Sequence, residues 1–392
     1  MTTQNKNVPA LRFPEFNEDW RIKSFGEITT KVGSGSTPTG GAKVYLNSGV
    51  VFIRSQNVIE NQLSLEDATF ISEEVNSKMK GSIVKANDIL LNITGGSIGR
   101  SCVVPNSFKI GNVNQHVCII RLDAQNTPIF LQLFISSEKG QKLIFEGQTG
   151  SGREGLNFQS IRAFKINLPT LPEQQKIASF LTSVDEKIQQ LTKKKELLEQ
   201  YKKGVMQKIF NQEIRFKDDN GNDFADWEEK EFEEIYISLP TKQFQILTSE
   251  ILENGQFKVI DQGQKKIAGF SNDFNKLFKD VPIIIFGDHT AILKYVDYDF
   301  IVGADGTKIL KNKFGNLKFF YYCLVFNNIE TEGYKRHYSI LKSISLQFPE
   351  SVDEQTKIAN FLSSIDDKIN QINEHLEKTK EYKKGLLQQM FV

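Results

Sequence analysis

The chain has 392 residues, 25% of them charged, and a net charge of +1. That length accommodates two or three domains with cores of their own. Its near-neutrality argues against a stand-alone tight DNA binder, which is usually more basic.

No apolar run approaches the 18 or more residues that cross a bilayer, and the start MTTQNKNVPALRF lacks an apolar signal core. Cys102, Cys118 and Cys323 are odd in number and far apart, which fits a reducing compartment without a disulfide framework. A cytoplasmic protein that avoids the membrane is expected. Charge is uneven along the chain. Residues 1–170 carry 18 basic and 14 acidic groups, and residues 171–210 carry 8 and 5. Residues 211–350 carry 17 and 22, and residues 351–392 carry 6 and 7. If DNA is touched, local patches or a partner must supply much of the phosphate neutralisation.

The first segment opens with Leu11-Arg12-Phe13, Asp19-Trp20 and Phe25-Gly26-Glu27-Ile28. Apolar runs at 50–53, 88–93 and 116–122, bounded by Gly, Asn and Asp, predict strands, and the spacing over 128–145 predicts a helix. A strand runs into the Gly turn Thr94-Gly95-Gly96-Ser97, and a second turn follows at Gly111-Asn112-Val113-Asn114-Gln115-His116. Ile161, Arg162, Phe164, Ile166, Leu168 and Pro169 then lead into a long helix.

The same plan repeats. Ile214-Arg215-Phe216, Asp226-Trp227 and Phe232-Glu233-Glu234-Ile235 echo the opening. Runs at 281–286 and 308–310 predict strands, and 317–327 predicts a helix. The turns are now Gly287-Asp288-His289-Thr290 and Gly303-Ala304-Asp305-Gly306-Thr307-Lys308, so the framework corresponds while the turn residues differ. Leu341, Lys342, Ile344, Leu346, Phe348 and Pro349 lead into a second long helix.

The two helices are near copies. Residues 173–210 and 354–391 align without a gap at an offset of 181, with 19 of 38 positions identical. EQQKIASFLTSVDEKI becomes EQTKIANFLSSIDDKI, and both copies carry Tyr-Lys-Lys-Gly near the end. Ile177, Leu181, Val184, Ile188 and Leu191 begin a heptad stripe in the first, and Ile358, Leu362, Ile365, Ile369 and Ile372 begin one in the second. A sustained 3.5-residue period predicts a coiled-coil seam. Each helix would run about 57 Å at 1.5 Å per residue. The simplest partner for each helix is the other; private packing of each against its own domain is the alternative. Lys195, Lys202, Thr379 and Lys383 interrupt the seams. Tyr201, Lys202, Lys203, Tyr382, Lys383 and Lys384 are candidate subunit-docking residues, or else they mark frayed ends. Gly204 and Gly385 cost about 1 kcal/mol each inside a helix.

The duplicated Glu-Gln-x-Lys-Ile-Ala-x-Phe-Leu start, the Tyr-Lys-Lys-Gly-x-x-Gln ends and the Trp20 and Trp227 motifs resemble one family. So does the stretch over 88–99 with Gly95-Gly96-Ser97-Ile98-Gly99. The family is the specificity subunits of type I restriction–modification enzymes, and the resemblance covers essentially the whole chain. It implies an α+β fold with two tandem mixed target-recognition domains, held apart by two long antiparallel coiled-coil helices with pseudo-two-fold symmetry. The corresponding boundaries are 1–170, 171–211, 212–351 and 352–392. It also implies recognition of bipartite double-stranded DNA, one half-site per domain, with no catalytic centre in this chain. Two methyltransferase subunits would dock on the helices, and restriction subunits would join further out. S-adenosylmethionine would belong to the methyltransferase, and ATP and Mg to the restriction subunit, leaving no cofactor here. The second region departs from the motif, since Gly287-Asp288-His289 replaces Gly95-Gly96-Ser97.

Base edges are read by polar and charged side chains. Candidates in the first region are Arg54, Gln56, Asn57, Thr94, Ser97, Arg100, Asn114 and Gln115. In the second they are Gln262, Gln264, Lys265, Lys266, Asp288, His289, Thr290 and Lys308. A lone polar turn residue more often shapes its turn or meets phosphate. The GxGxxG match at 150–155 lacks a feeding strand and a following dinucleotide helix, although Arg153 there could meet a phosphate. There is no Walker A loop and no Asn/Asp-Pro-Pro-Tyr/Phe signature. His116, His289, His337 and His375 show no metal spacing, and His116 beside Cys118 suggests a structural role. A coiled-coil scaffold with paired protein-binding domains is the competing reading. A small-molecule transferase using the Gly-rich loops ranks below it.

Overall fold

Alternation along the strands decides where the cores lie. The computed structural model describes residues 7–59, 61–149, 155–303, 306–329, 331, 333 and 335–392, with only the backbone at Ala42. Two units result: residues 1–191 with 375–392, and residues 192–374.

In the first unit the strand Ile89–Asn92 is buried on both faces. Ile89 and Leu91 join Trp20, Phe25 and Phe130 in one core, while Leu90 joins Ile53, Val113 and Val117 in another. A period of two sends neighbours to opposite faces, so one strand serves two cores. One sheet has the order Thr29–Ser34, Val117–Leu122, Ile89–Asn92, Ser101–Val103. The other runs Thr69–Ile71, Val50–Ile53, Gly111–Val113, Ile83–Val84, with 50–53 and 111–113 parallel.

The second unit repeats this order. Tyr236–Leu239, Thr307–Asn312, Ile283–Gly287 and Leu293–Val296 form one sheet. Gly269–Ser271, Phe257–Ile260, Phe300–Val302 and Leu277–Phe278 form the other, with 257–260 and 300–302 parallel. Ile284 and Phe286 face one core, and Ile283 and Ile285 the other. The duplication and the mixed α+β architecture expected from sequence are both present.

The helix expected over 128–145 is two helices, Pro128–Ser136 and Glu138–Glu146. Ser137 sits extended between them, and its hydroxyl accepts from Gly140 N as an N-cap. Periodicity alone does not register such a break, because apolar spacing continues across it.

The long helices span Leu171–Phe210 and Val352–Met390. Their shared Glu-Gln start has a structural cause. Glu173, 1% exposed, accepts from Arg12 Nε at 2.7 Å, Arg12 Nη2 at 2.8 Å and Trp20 Nε1 at 3.1 Å. Glu354 does the same for Arg215, at 3.3 and 2.9 Å, and for Trp227, at 3.4 Å. Gln174 Oε1 accepts from Thr127 N at 2.9 Å, and Gln355 Oε1 from Asn316 N at 2.8 Å, at the start of the helix in each unit that packs on the strands. The repeated lead-in and the repeated helix start are thus two sides of one buried polar clasp.

The seam has two features that periodicity alone did not show. First, the apolar stripe is shared. In the first unit Ile177, Leu181, Val184 and Ile188 share a core with Leu386 and Met390 of the other long helix, and also with Trp20 and Phe130 of the domain. In the second, Val205 and Ile209 share one with Ile358, Leu362, Trp227 and Phe319. Leu191, Ile365 and Ile372 are buried and Ile369 half-buried.

Second, the lysines that interrupt the stripe do not fray it. Lys202 Nζ donates to Asp366 Oδ1 at 2.6 Å and lies over the Tyr322 ring, while Lys383 pairs with Asp185. Positions 185 and 366 are themselves related by the offset of 181, so the pair is made once in each unit. A long aliphatic stem lets a lysine cross a seam and meet a carboxylate at its edge. Lys195 Nζ likewise reaches Asn373 Oδ1 at 2.9 Å.

Candidate nucleic-acid interface

In each unit the polar turns meet at the C-terminal end of the parallel strand pair. In the first unit Asn114 N donates to Ile53 O at 3.1 Å, joining the turns after the two parallel strands. Asn92, fully buried, donates its amide to Ser55 O at 2.9 Å and to Ser97 Oγ at 3.2 Å, bringing in the Gly turn. Thr94 Oγ1 contacts His116 Nδ1, Gln115 Nε2 lies 3.1 Å from His116 Nε2, and Thr37 Oγ1 donates to Gln115 Oε1 at 2.6 Å.

The second unit joins the matching turns with other side chains. Gly303 N donates to Ile260 O at 2.7 Å. Gly287 stands at the end of its strand, as Asn92 does, and a Cβ there would lie 2.2 Å from Thr290 Oγ1. Its lack of a side chain lets Thr290 Oγ1 reach Gln262 O at 2.6 Å, the role Asn92 fills in the first unit. Lys294, buried to 8% exposure, donates to Asp261 O and Lys265 O, both at 2.7 Å. Desolvation lowers its pKa from the ordinary lysine value, countered by Asp261, whose Oδ1 lies 3.6 Å away. With its carbonyls drawn inward, the loop leaves Gln264, Lys265 and Lys266 exposed.

The structure divides the sixteen sequence candidates. Gln56, Arg100, Gln115, Gln264, Lys265 and Lys266 are exposed, and Arg54, Thr94, Ser97, Gln262, His289, Thr290 and Lys308 are partly so. Arg54 Nε is buried without a partner among the described residues. Lys308 Nζ lies 5.4 Å from the Tyr338 ring centroid.

Asn57, Asn114 and Asp288 are buried turn formers. Asn57 Oδ1 accepts from Arg54 N at 2.9 Å and its amide donates to Ser64 O. Asn114 Oδ1 accepts from His116 N at 3.0 Å. Asp288 Oδ1 accepts from Tyr338 N at 2.9 Å, closing the following helix turn onto the sheet. Gln262 Oε1 accepts from His289 N at 3.0 Å and so braces its loop. Short Asn and Asp side chains satisfy nearby backbone, which is why they populate turns.

Sequence reading missed Asn92, Lys294 and Thr37, and gave His116 only a structural role. The first two are buried and polar within apolar strands, a pattern that was visible; the last two depend on contacts between distant turns. The GxGxxG match lies at 150–155, of which 150–154 are outside the described residues. No group of three or more His, Cys, Asp or Glu side chains among the described residues could hold a metal ion. No helix among them is long and apolar enough to cross a membrane.

A family model described as the type I restriction modification DNA specificity domain matches twice, over residues 17–200 and 224–380. The chain belongs to this family. Each match falls on one copy of the tandem repeat.

Two curated specificity subunits from Methanocaldococcus jannaschii are similar along nearly their whole length. The putative type I restriction enzyme MjaX specificity subunit is 22% identical, covering 98% of this chain and 95% of the relative. The MjaVIII specificity subunit is 25% identical, covering 97% and 93%. The type I S subunit from M. genitalium has the same fold, with a TM-score of 0.65 at 16% identity, covering 98% of this chain and 99% of that one. A specificity subunit serves recognition and is not itself the catalyst.

Proposed function

We propose that this type I specificity subunit reads a bipartite DNA sequence, one half-site through the turn cluster of each unit. The observation that carries this is the pairing of one framework with two sets of exposed side chains. Both units gather turns at the ends of equivalent strands, yet one offers Gln56, Arg100 and Gln115 and the other Gln264, Lys265 and Lys266. Side chains of this kind reach base edges and phosphates.

The long helices would dock two methyltransferase subunits, with restriction subunits joining further out. Two features support this. Tyr201 and Tyr382 are more than half exposed at equivalent positions, with Lys203 and Lys384 exposed beside them. Nothing lies within 4 Å of a Cβ added at Gly204 or Gly385, so neither glycine is required by its own unit. A partner backbone approaching closely would require both. Lys202 and Lys383, turned toward Asp366 and Asp185, are less suited to that role than their neighbours. The helices would also set the unspecified gap between half-sites. S-adenosylmethionine would bind the methyltransferase, and ATP and Mg the restriction subunit.

The test is a map of modified bases in cells expressing the chain with its methyltransferase subunit. A motif in two halves around a fixed gap is expected, and exchanging residues 21–160 should change one half only. A motif that changes in both halves, or that is continuous, would refute the assignment. If the complex assembles without conferring any motif, the paired protein-binding scaffold becomes the better reading.

A further inference from the structure

The recognition surface of the first unit contains an amide held at both ends. Gln115 is exposed, and Thr37 Oγ1 donates to its Oε1 at 2.6 Å. Its Nε2 lies 3.1 Å from His116 Nε2. With Nε2 of the amide donating, His116 Nε2 accepts, and the ring's Nδ1 faces Thr94 Oγ1. The relay then runs from Thr37 to Gln115 to His116 to Thr94, and turning the amide over reverses every bond in it together. It crosses three turns.

After these bonds Gln115 keeps one lone pair on Oε1 and one N–H on Nε2. In the major groove adenine presents the complement of that pair, an N6–H donor and an N7 acceptor. Guanine presents two acceptors there and would set O6 or N7 against the Oε1 lone pair. A free glutamine could turn its amide over to suit another base. Here a flip must reverse the Thr37 hydroxyl and the His116 tautomer with it, and in either sense the amide offers one donor and one acceptor.

We propose that Gln115 specifies an adenine in the half-site read by the first unit, with Thr37 and His116 as positioning residues that fix its amide. This rests on the recognition function above. Asn114 plays no part in the reading, because its side chain is buried and bonded to His116 N.

The experiment uses the full chain with its methyltransferase subunit and maps modified bases for wild type, Gln115→Ala, Gln115→Glu and Thr37→Val. In Gln115→Ala one A·T position in one half-site should lose roughly 5- to 150-fold of its discrimination, the value of one bidentate contact. All other positions should hold. Gln115→Glu should turn preference at that position away from adenine, and Thr37→Val should relax it partly. An unchanged motif in Gln115→Ala, or relaxation at a G·C position, overturns the assignment. Should Gln115→Ala abolish modification, Thr37→Val decides: a relaxed A·T position supports the assignment and an unchanged motif overturns it. A wild-type chain that confers no bipartite motif removes the recognition function itself, and that result is seen before any variant is made.

Discussion

Glu173→Gln should destabilise the first unit far more than its conservative chemistry suggests. Glu173 is 1% exposed and is the acceptor for Arg12 and for the indole of Trp20. The glutamine keeps one carbonyl oxygen but puts an NH2 group against one of these donors. It also removes the carboxylate that is hydrogen-bonded to the Arg12 cation. Removing one partner of a buried pair costs about 3–5 kcal/mol, and the lower end applies because Arg12 keeps a partly wet edge. At a urea m-value of about 2 kcal/mol/M, a 3 kcal/mol loss lowers the unfolding midpoint by about 1.5 M.

The chain supplies its own reporter. It has two tryptophans, Trp20 in the first unit and Trp227 in the second. In a Trp227→Phe background, Trp20 fluorescence in urea follows the first unit. The converse, Glu354→Gln read through Trp227 in a Trp20→Phe background, should give a smaller shift, since Arg215 Nε and Trp227 Nε1 lie 3.3 and 3.4 Å from Glu354. A midpoint for Glu173→Gln within about 0.3 M of its parent, under 1 kcal/mol by the same slope, would refute the clasp as the anchor of the helix start.

Further outcomes follow from other sites. Lys294→Met strands two loop carbonyls and should destabilise the second unit by about 2 kcal/mol, read through Trp227, with faster amide exchange over residues 261–266. Gly204→Ala and Gly385→Ala should each stabilise the free chain by about 1 kcal/mol in urea unfolding. Both should weaken methyltransferase binding in a titration, and unchanged affinity would count against close approach at the glycines. Burial pushes the thiols of Cys102, Cys118 and Cys323 up to about 12. They should resist a thiol-specific disulfide reagent at pH 8 in the native protein and react fully in urea. Their pKa is raised on folding, so this contribution is fully present below the unfolded value near 9. It is lost as pH rises from there toward 12, and thermal unfolding across that window should show the decline.

Fold class and duplication were legible because they rest on local pattern. The strand Ile89–Asn92 is apolar throughout because both its faces are buried, and the long helices keep a 3.5-residue stripe because one side of each meets a core. The site was legible only in part. Gln56, Arg100 and Gln115 were found as polar turn residues and are exposed. Asn57, Asn114 and Asp288 look the same in sequence and are buried, because backbone groups within reach bind them first. The break at Ser137 was hidden by apolar residues that pack equally well on either side of it.

By itself, the sequence determined that the protein is a tandem repeat of an α+β unit and a long helix, since identity at a fixed offset and apolar period survive in the linear chain. Only the tertiary structure decided what the repeated polar residues do. Glu173 and Glu354 each hold an arginine and a tryptophan, and Lys202 and Lys383 each answer an aspartate on the other long helix of their unit. It also showed how the first copy is completed. Leu11 N donates to Gln389 O at 3.0 Å, repeating between the two ends of the chain the bond that Ile214 N makes to Lys208 O within it at 3.1 Å. A hydrogen bond depends on where two atoms lie in space and not on how many residues separate them, and no local pattern in the sequence carries that information.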